Sequence, residues 1–418
     1  MRKMRDSGIE WVGAIPAAWG VHRIASHFQE IKEKNTANAY SNALQFKMGK
    51  IIAKPQKWDE DETNETYSAY TVVHPNTIMI NGLNLEFDFV TQRVARVECN
   101  GIITSAYIAL SPRDDINAEY ICYLLKSYDA CRAFHSMGRG LRKILSYSEL
   151  KNKPIVVPPL AEQERIAAFL DAECAEIDAV LEKTRASIEE YKKLKQAVIT
   201  QAVTKGIRGD RPMKDSGIEW IGEISQDFEI VKLKWLCDVL DQFRSPVTAD
   251  KRNQNADVLY DYYGASGAID KIDGYTIDDH VMLIGEDGAN LRMRNLPIMY
   301  EINGKAWVNN HAHILKPKAG VDFYFIFYAL EALDLNYYIT GSAQPKLSQD
   351  NLRNIWVPIT ALTEQKRIAA YISDVCAKLD CLIARKQQYL IEIENYKKSL
   401  IYEYVTGKKE VKTNVLAD

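Results

Sequence analysis

Two long stretches of the chain share one rhythm of apolar positions. In residues 161–206 the apolar or near-apolar side chains fall at Leu170, Cys174, Ile177, Leu181, Ile188, Tyr191, Val198 and Ala202, three and four residues apart, which marks one face of a helix. In residues 363–408 the same seam reads Ile372, Cys376, Leu379, Ile383, Leu390, Ile393, Leu400 and Tyr404. Ala161 answers Thr363 and Thr204 answers Thr406, a constant offset of 202. Polar residues interrupt both seams at equivalent places, Thr184 with Lys386 and Lys195 with Lys397. A narrow seam on a charged helix needs a partner helix, and each copy can serve the other. Antiparallel pairing within the chain is preferred, because closing so short a connection costs little entropy. Parallel pairing between two chains would use the same seam. A helix of about 44 residues is roughly 65 Å long, so an antiparallel pair would be a rod with a globular region near each end.

A second repeat marks where each half begins. DSGIEWVG at Asp6–Gly13 returns as DSGIEWIG at Asp215–Gly222. Each copy leads into a basic and apolar segment, Val21–Ile24 or Ile230–Leu236. In the first globular region, Thr77–Asn81 and Ile102–Leu110 have strand character and Tyr120–Lys126 reads as a short helix. In the second, Val281–Ile284 and Trp307–Leu315 read as strands and Phe323–Leu333 as a helix. LSYSELKN at Leu145–Asn152 answers LSQDNLRN at Leu347–Asn354, but the intervening loops do not match. Pro154, Pro158, Pro159 and Pro358 end the globular regions, and Gly206 and Gly407 close the helices. The expected division is a globular region over 1–159, a helix over 160–207, a second region over 208–361, a second helix over 362–408 and a polar tail over 409–418. The fold class is α+β, with two α/β globular domains joined by a long antiparallel two-helix coiled coil in a pseudo-two-fold internal repeat. Two copies of one scaffold with different loops suggest related tasks on different targets.

Length and composition narrow the class. At 418 residues the chain exceeds one ordinary core, and 47% hydrophobic with 26% charged residues is a soluble globular composition. A net charge of −3 argues against a uniformly basic coat, though a local basic face remains open. Seven cysteines without a C-x-x-C pair suit a reducing compartment. Cys174 and Cys376 share one register and read as small core residues of the coil. Asp6 and Glu10 stand where a signal peptide needs an apolar core, and the apolar run Phe323–Leu330 is too short to span a bilayer. A cytoplasmic protein without membrane association is expected. No N-P-P-[YF] tetrad or G-x-x-x-x-G-K-[ST] loop occurs, so the chain offers binding surfaces without a recognisable reaction centre.

The order of start motif, variable region and long helix, twice over, resembles the DNA specificity subunit of type I restriction-modification systems. The residues that carry the resemblance are D-S-G-I-E-W-[VI]-G, L-x-E-Q-x-R-I after a proline within Pro158–Ile166 and Pro358–Ile368, and the helix ends AVITQAVTKG and SLIYEYVTGK. Region two adds QFRSP (Gln242–Pro246), YYGASG (Tyr262–Gly267), WVNNHAHIL (Trp307–Leu315) and AQPKLSQ (Ala343–Gln349). Region one adds RVARVECNGIITSAYIAL. The resemblance implies two target recognition domains, each reading half of an asymmetric bipartite site in double-stranded DNA, with the helix pair setting the gap. It implies two methyltransferase subunits, docked on the charged outer faces of the helices, and two endonuclease/translocase subunits in the full complex. No cofactor is implied for this chain; S-adenosylmethionine, ATP and magnesium belong to the partner subunits. A coiled-coil protein scaffold without DNA specificity is the alternative, and basic, glycine-containing loops are what it does not require.

Candidate DNA contacts follow from residue chemistry. Arg139, Arg142 and Lys143 in Gly138–Lys143 suit phosphate or guanine, against the reading as a solvated turn. Lys47, Lys50, Lys54 and Lys57 are phosphate contacts or solubilising lysines. Asn81 and Asn84 near a strand end are adenine readers or a plain hairpin turn. In region two the candidates are Arg244, Tyr262, Ser266, Arg292, Arg294, Asn310, His311 and Lys346, with Tyr263 assigned to the core or to a backbone platform. His311 and His313 at alternate positions would share a strand face, but no third ligand stands at a metal-site spacing. With Asn309 and Asn310, His311 reads as a polar cluster at a strand start, buried or facing DNA.

Overall fold

The computed structural model describes residues 2–47, 49–55, 67–88, 91–138, 143–252 and 257–412. The chain forms two compact units, one of Met1–Arg185 with Gln388–Asp418 and one of Ala186–Gln387. Four helices organise them: α1 (Ala118–Ala130), α2 (Leu160–Lys205), α3 (Phe323–Ala332) and α4 (Leu362–Val405). Each unit holds one half of α2 and one half of α4.

The main sheet of the first unit comprises β1 (Phe28–Glu30), β2 (Ile78–Ile80), β3 (Val94–Arg96) and β4 (Ile108–Pro112), in the spatial order β1-β4-β2-β3 and antiparallel throughout. The second unit has β5 (Cys237–Val239), β6 (Tyr260–Gly264), β7 (Gly267–Ile272), β8 (Ile277–Gly285), β9 (Met299–Val308) and β10 (Ala312–Pro317), in the order β5-β10-β8-β9-β6-β7. Its first four positions repeat the first unit's order, and β6 and β7 are additions. Val281–Ile284 is apolar without a break because both faces of β8 are covered. Met282 and Ile284 join α3 residues Phe325, Ile326 and Leu330 in one core, while Val281 and Leu283 join Ile302, Val308 and Ile314 in another.

The repeated L-x-E-Q-x-R-I sequence is explained by a buried hydrogen-bond lock. Gln163 Oε1 accepts from the backbone N–H of Asn117 at 2.9 Å, while its Nε2 donates to the Pro158 carbonyl at 2.9 Å and the Asp115 carbonyl at 3.2 Å. In the second unit Gln365 Oε1 accepts from Asp322 N–H at 2.8 Å and its Nε2 donates to the Thr360 carbonyl at 2.7 Å. Asn117 and Asp322 are themselves the N-caps of α1 and α3, accepting from Tyr120 N–H at 2.8 Å and Phe325 N–H at 3.0 Å. One side chain therefore ties the start of a long helix to the start of the helix that lines the sheet. The preceding glutamates add an ion pair each, Glu162 with Arg2 and Glu364 with Arg211. Trp19 Nε1 also donates to Glu162 at 3.0 Å.

The start motifs fold as identical turns. Asp6 accepts from Gly8 N–H and Asp215 from Gly217 N–H, both at 3.0 Å; the Ser7 and Ser216 hydroxyls accept from Ile9 and Ile218 N–H, both at 3.1 Å. Each turn receives a helix end from the other half of the sequence. In the first unit Ile401 and Val405 of α4 pack with Ile9, Val12 and Trp19, and Tyr402 donates to the Val12 carbonyl at 3.0 Å. In the second unit Ile199, Ala202 and Val203 of α2 pack with Ile224 and Phe228. Gly206 and Gly407 then turn the chain away at φ +78° and +70°, a region that favours glycine.

Within each unit the helix halves run antiparallel. Asp178 pairs with Lys397 at 2.6 Å and Arg185 with Glu394 at 2.7 Å in the first, and Lys195 pairs with Asp380 at 2.7 Å in the second. The Asp178–Lys397 and Asp380–Lys195 pairs are copies of each other, so the lysines that interrupt the seam supply its register. Leu170, Cys174, Ile177, Leu181 and Ile188 are buried, as are Ile372, Cys376 and Leu379; Tyr191, Ile383, Leu390 and Ile393 are half-buried.

Two strand expectations need correction. Ile102–Leu110 is not one strand: Gly101–Ile103 pairs with Thr71–Val73, a turn intervenes, and Ile108–Pro112 joins the main sheet. Trp307–Leu315 is divided by a turn at Asn309–His311, where Asn309 Oδ1 accepts from His311 N–H at 2.8 Å.

Gln163→Leu should lower the stability of the first unit by about 1–3 kcal/mol, read as an earlier urea transition, because it strands a backbone N–H and two carbonyls. Lys195→Leu with Lys397→Leu should raise thermal resistance while admitting other pairings, visible as oligomers in sedimentation.

Candidate nucleic-acid interface

In the second unit, four separate sequence segments meet at one loop edge of the sheet. Ser245 N–H donates to the Val308 carbonyl at 2.9 Å and Trp307 Nε1 to the Ser245 carbonyl at 2.7 Å, which fixes QFRSP against β9. Glu286, just past β8, donates its N–H to His311 at 2.8 Å and accepts from Leu347 N–H at 2.7 Å, joining WVNNHAHIL to AQPKLSQ. The YYGASG turn adjoins the same place, since a side chain at Gly285 would meet the Ala265 carbonyl.

An ionic cluster lies beneath this edge. His313, buried on β10, directs Nδ1 at Asp241 (2.7 Å) and Nε2 at the Leu347 carbonyl (2.8 Å). Gln349 donates to Asp241 at 2.8 Å. The Arg244 guanidinium contacts Asp241 at 3.2 Å and also reaches Glu286, whose other oxygen meets Lys346 Nζ at 2.8 Å. Burial alone would raise the Asp241 carboxyl, but bonds from His313 and Gln349 outweigh it and hold it below the usual range. Glu286 is likewise held low against its burial, by Lys346 and Arg244. Both remain carboxylates, so the cations above them are balanced.

The sequence candidates divide accordingly. Ser266, Asn310, His311 and Lys346 are exposed on connections at this edge, and Arg292 is exposed on the short helix Asn290–Met293 beside it. Arg244 is half-buried, with its donors committed to Asp241, Glu286 and the carbonyls of Asn310 and Ala312. The Tyr262 assignment is corrected, whereas half-buried Tyr263 packs against a core cluster as expected. Tyr262 is 1% exposed, its hydroxyl bonds the Val247 backbone at 3.1 and 3.2 Å, and Arg252 stacks on its ring, so it has no surface to offer DNA. Tyr263 is only partly buried. A β-bulge between the two residues shifts the register and defeats counting by alternation. Arg294 is also corrected: its guanidinium is partly buried and donates to the carbonyls of Glu331 and Leu333 at the end of α3. His311 and His313 do not share a strand face, because β10 begins at Ala312; His311 turns out to Asp287 at 2.8 Å while His313 turns in. Among the described residues no three His, Cys or carboxylate side chains are grouped to hold a metal.

In the first unit, Lys47 and Lys50 pair across the tip of the hairpin Leu44–Lys47/Lys50–Ala53, both exposed, while Lys54 is half-buried. Asn81 accepts from Leu83 N–H at 3.1 Å in a tight turn, and Asn84 is exposed at φ +52°. Leu145 N–H donates to the Gly82 carbonyl at 2.9 Å and Leu85 N–H to the Lys143 carbonyl at 3.3 Å, so the asparagine turn adjoins exposed Lys143. Arg139, Arg142 and Lys57 lie outside the described residues. A residue missed in the sequence holds the turn: Arg93, 1% exposed, donates to the carbonyls of Asn81, Leu83, Asn84 and Asp88 at 2.7–3.4 Å. A lone arginine before a strand carries no local signal of that task.

Comparison with known proteins gives this duplicated frame a family. The sequence model described as "Type I restriction modification DNA specificity domain" matches residues 99–190 and 225–394, more than half of the chain. The "Type I restriction enzyme MjaVIII specificity subunit" of Methanocaldococcus jannaschii is 25% identical over 426 residues, covering 95% of this chain and 94% of the relative. The "Putative type I restriction enzyme specificity subunit S.HindORF215P" of Haemophilus influenzae is 28% identical over 178 residues, 40% of this chain and 44% of that protein. A solved chain from work on complex assembly and conformational transition of the type I R-M system shares the fold at a TM-score of 0.72 and 13% identity, over 94% of this chain and 99% of its own. With its two matched segments, its repeated frame and a relative matched over nearly its whole length, this chain belongs to the type I restriction-modification DNA specificity family, as a non-catalytic specificity subunit.

Proposed function

We propose that the chain reads an asymmetric bipartite site in double-stranded DNA, one half through the loop edge of each unit, and brings the modification and restriction machinery to it. The observation that carries this reading is a contrast inside one chain. The four-strand order, the glutamine lock and the start-motif turn repeat almost residue for residue, whereas the loops at the sheet edges differ. A frame kept twice with unlike edges suits two readers of unlike sequences. A protein scaffold without DNA specificity would leave that difference without a task.

In the first unit the contacts are assigned to Lys47, Asn81, Asn84 and Lys143, with Arg139 and Arg142 from the sequence alone. In the second they are assigned to Ser266, Arg292, Asn310, His311 and Lys346. Lysines suit phosphate, whereas asparagine and arginine offer bidentate geometry to adenine and guanine. The partners are two methyltransferase subunits, which bind S-adenosylmethionine, and in the complete system two endonuclease/translocase subunits, which use ATP and magnesium. Working beside chromosomal DNA, the complex would be cytoplasmic; among the described residues no helix is long and apolar enough to cross a membrane.

Base-resolution mapping of methylation directed by the chain should return one bipartite motif with a fixed gap; a continuous palindrome would refute the reading. Inserting matched heptads within residues 179–195 and 381–397 should lengthen the gap and leave the bases unchanged, because α2 and α4 connect the two units. Asn310→Ala should weaken one half-site alone, by about 1–3 kcal/mol for a lost base contact.

A further inference from the structure

We infer that Glu286 is a specificity-determining residue that acts by holding Lys346 back from indiscriminate phosphate contact. The inference rests on the DNA-facing reading of the second unit's loop edge. The Glu286 main chain is fixed on both sides, bonded to His311 at 2.8 Å and to Leu347 at 2.7 Å, and its carboxylate is held by the cations it pairs with. Its Oε1 meets Lys346 Nζ at 2.8 Å and its Oε2 meets Arg244. The Glu286 side chain is 11% exposed against 54% for Lys346, so the acid lies beneath the surface and the ammonium on it. The lysine backbone is also pinned, exchanging hydrogen bonds with Thr340 at 2.8 and 2.9 Å.

This geometry sets the two kinds of DNA contact apart. Arg244 has its donors committed inside the cluster, which leaves the Lys346 ammonium, with two further N–H groups, as the cation of this cluster that faces outward, alongside exposed Arg292. Any duplex attracts that ammonium, and phosphate neutralisation is the sequence-independent part of binding. A carboxylate at 2.8 Å cancels much of the attraction and fixes where the ammonium points. Non-cognate DNA, docked without base contacts, must compete with Glu286 for the lysine. Cognate DNA, held in register by base contacts, meets a lysine already aimed. Glu286 therefore lowers affinity for the wrong sequence more than for the right one, which is selectivity by a built-in competitor.

The test uses the full chain assembled with its methyltransferase subunits. It compares a duplex carrying the mapped motif with one in which the second unit's half-site is scrambled, across a salt series. Glu286→Gln keeps the shape and one acceptor oxygen while removing the charge. It should tighten binding to scrambled DNA by about three- to tenfold, steepen its salt dependence by about one phosphate contact, and lower the cognate-to-scrambled ratio correspondingly. Glu286→Gln with Lys346→Gln should abolish the gain, and it guards against a folding effect because it leaves the same glutamine in place. Lys346→Ala alone separates the two levels. If Lys346→Ala weakens binding but Glu286→Gln leaves ratio and salt slope unchanged, the inference is overturned and the DNA-facing edge stands. If Lys346→Ala changes no DNA affinity, the edge does not face DNA and both fall.

Discussion

A single buried amide decides how each half of this protein is put together. Gln163 and Gln365 each bridge the first turn of a long helix and the N-terminus of the helix that lines the sheet. A buried glutamine is costly unless its donors and acceptor are satisfied, and here the partners are backbone N–H and C=O groups that flank the two helix starts. Satisfaction on both sides makes the contact stringent. Shifting either helix by a residue would unpair several groups at once, so the sheet takes a fixed orientation on the coil. The same joint is thereby built twice, although the side chains within the two sheets differ.

Around that joint the duplicated parts act as one frame. Each start motif receives a helix end from the other half of the sequence, so neither half completes a core by itself. Val405 in one unit and Val203 in the other are fully buried at equivalent places. Lysines that weaken the apolar seam return as the copied pairs with Asp178 and Asp380, a device that spends hydrophobic area on a unique register. With the frame held at both ends, the loops at the sheet edge need contribute little to folding. They are left free to differ in length and charge, as target-reading loops must.

Much of this was legible in the sequence, and the limits have physical causes. The long helices were readable because periodicity persists for more than ten turns, and their repetition because the offset of 202 holds along the whole helix. The roles of Asp6–Gly13 and of the glutamines were not, because periodicity says nothing about which distant backbone group a polar side chain will meet. Ile102–Leu110 reads as one apolar run, yet the break at its centre comes from tertiary pairing with two different neighbours. Tyr262 was placed on the surface although it is buried, because a bulge beside it cancels the two-residue period by which strand faces are counted. Arg244 and Arg294 look alike as sequence candidates. The structure commits one to a carboxylate cluster and the other to the end of a helix. Charge in a loop marks a binding surface only after its internal partners are counted.

The account makes the frame common and the edges separate. The most direct measurement is therefore an exchange of residues 223–360, below the locking Gln365, for the corresponding interval of a relative, followed by mapping of the methylated sites. One half of the motif should change to a new sequence while the other half and the gap persist. A change in both halves, or in the gap, would contradict the claim that two independent readers share one frame.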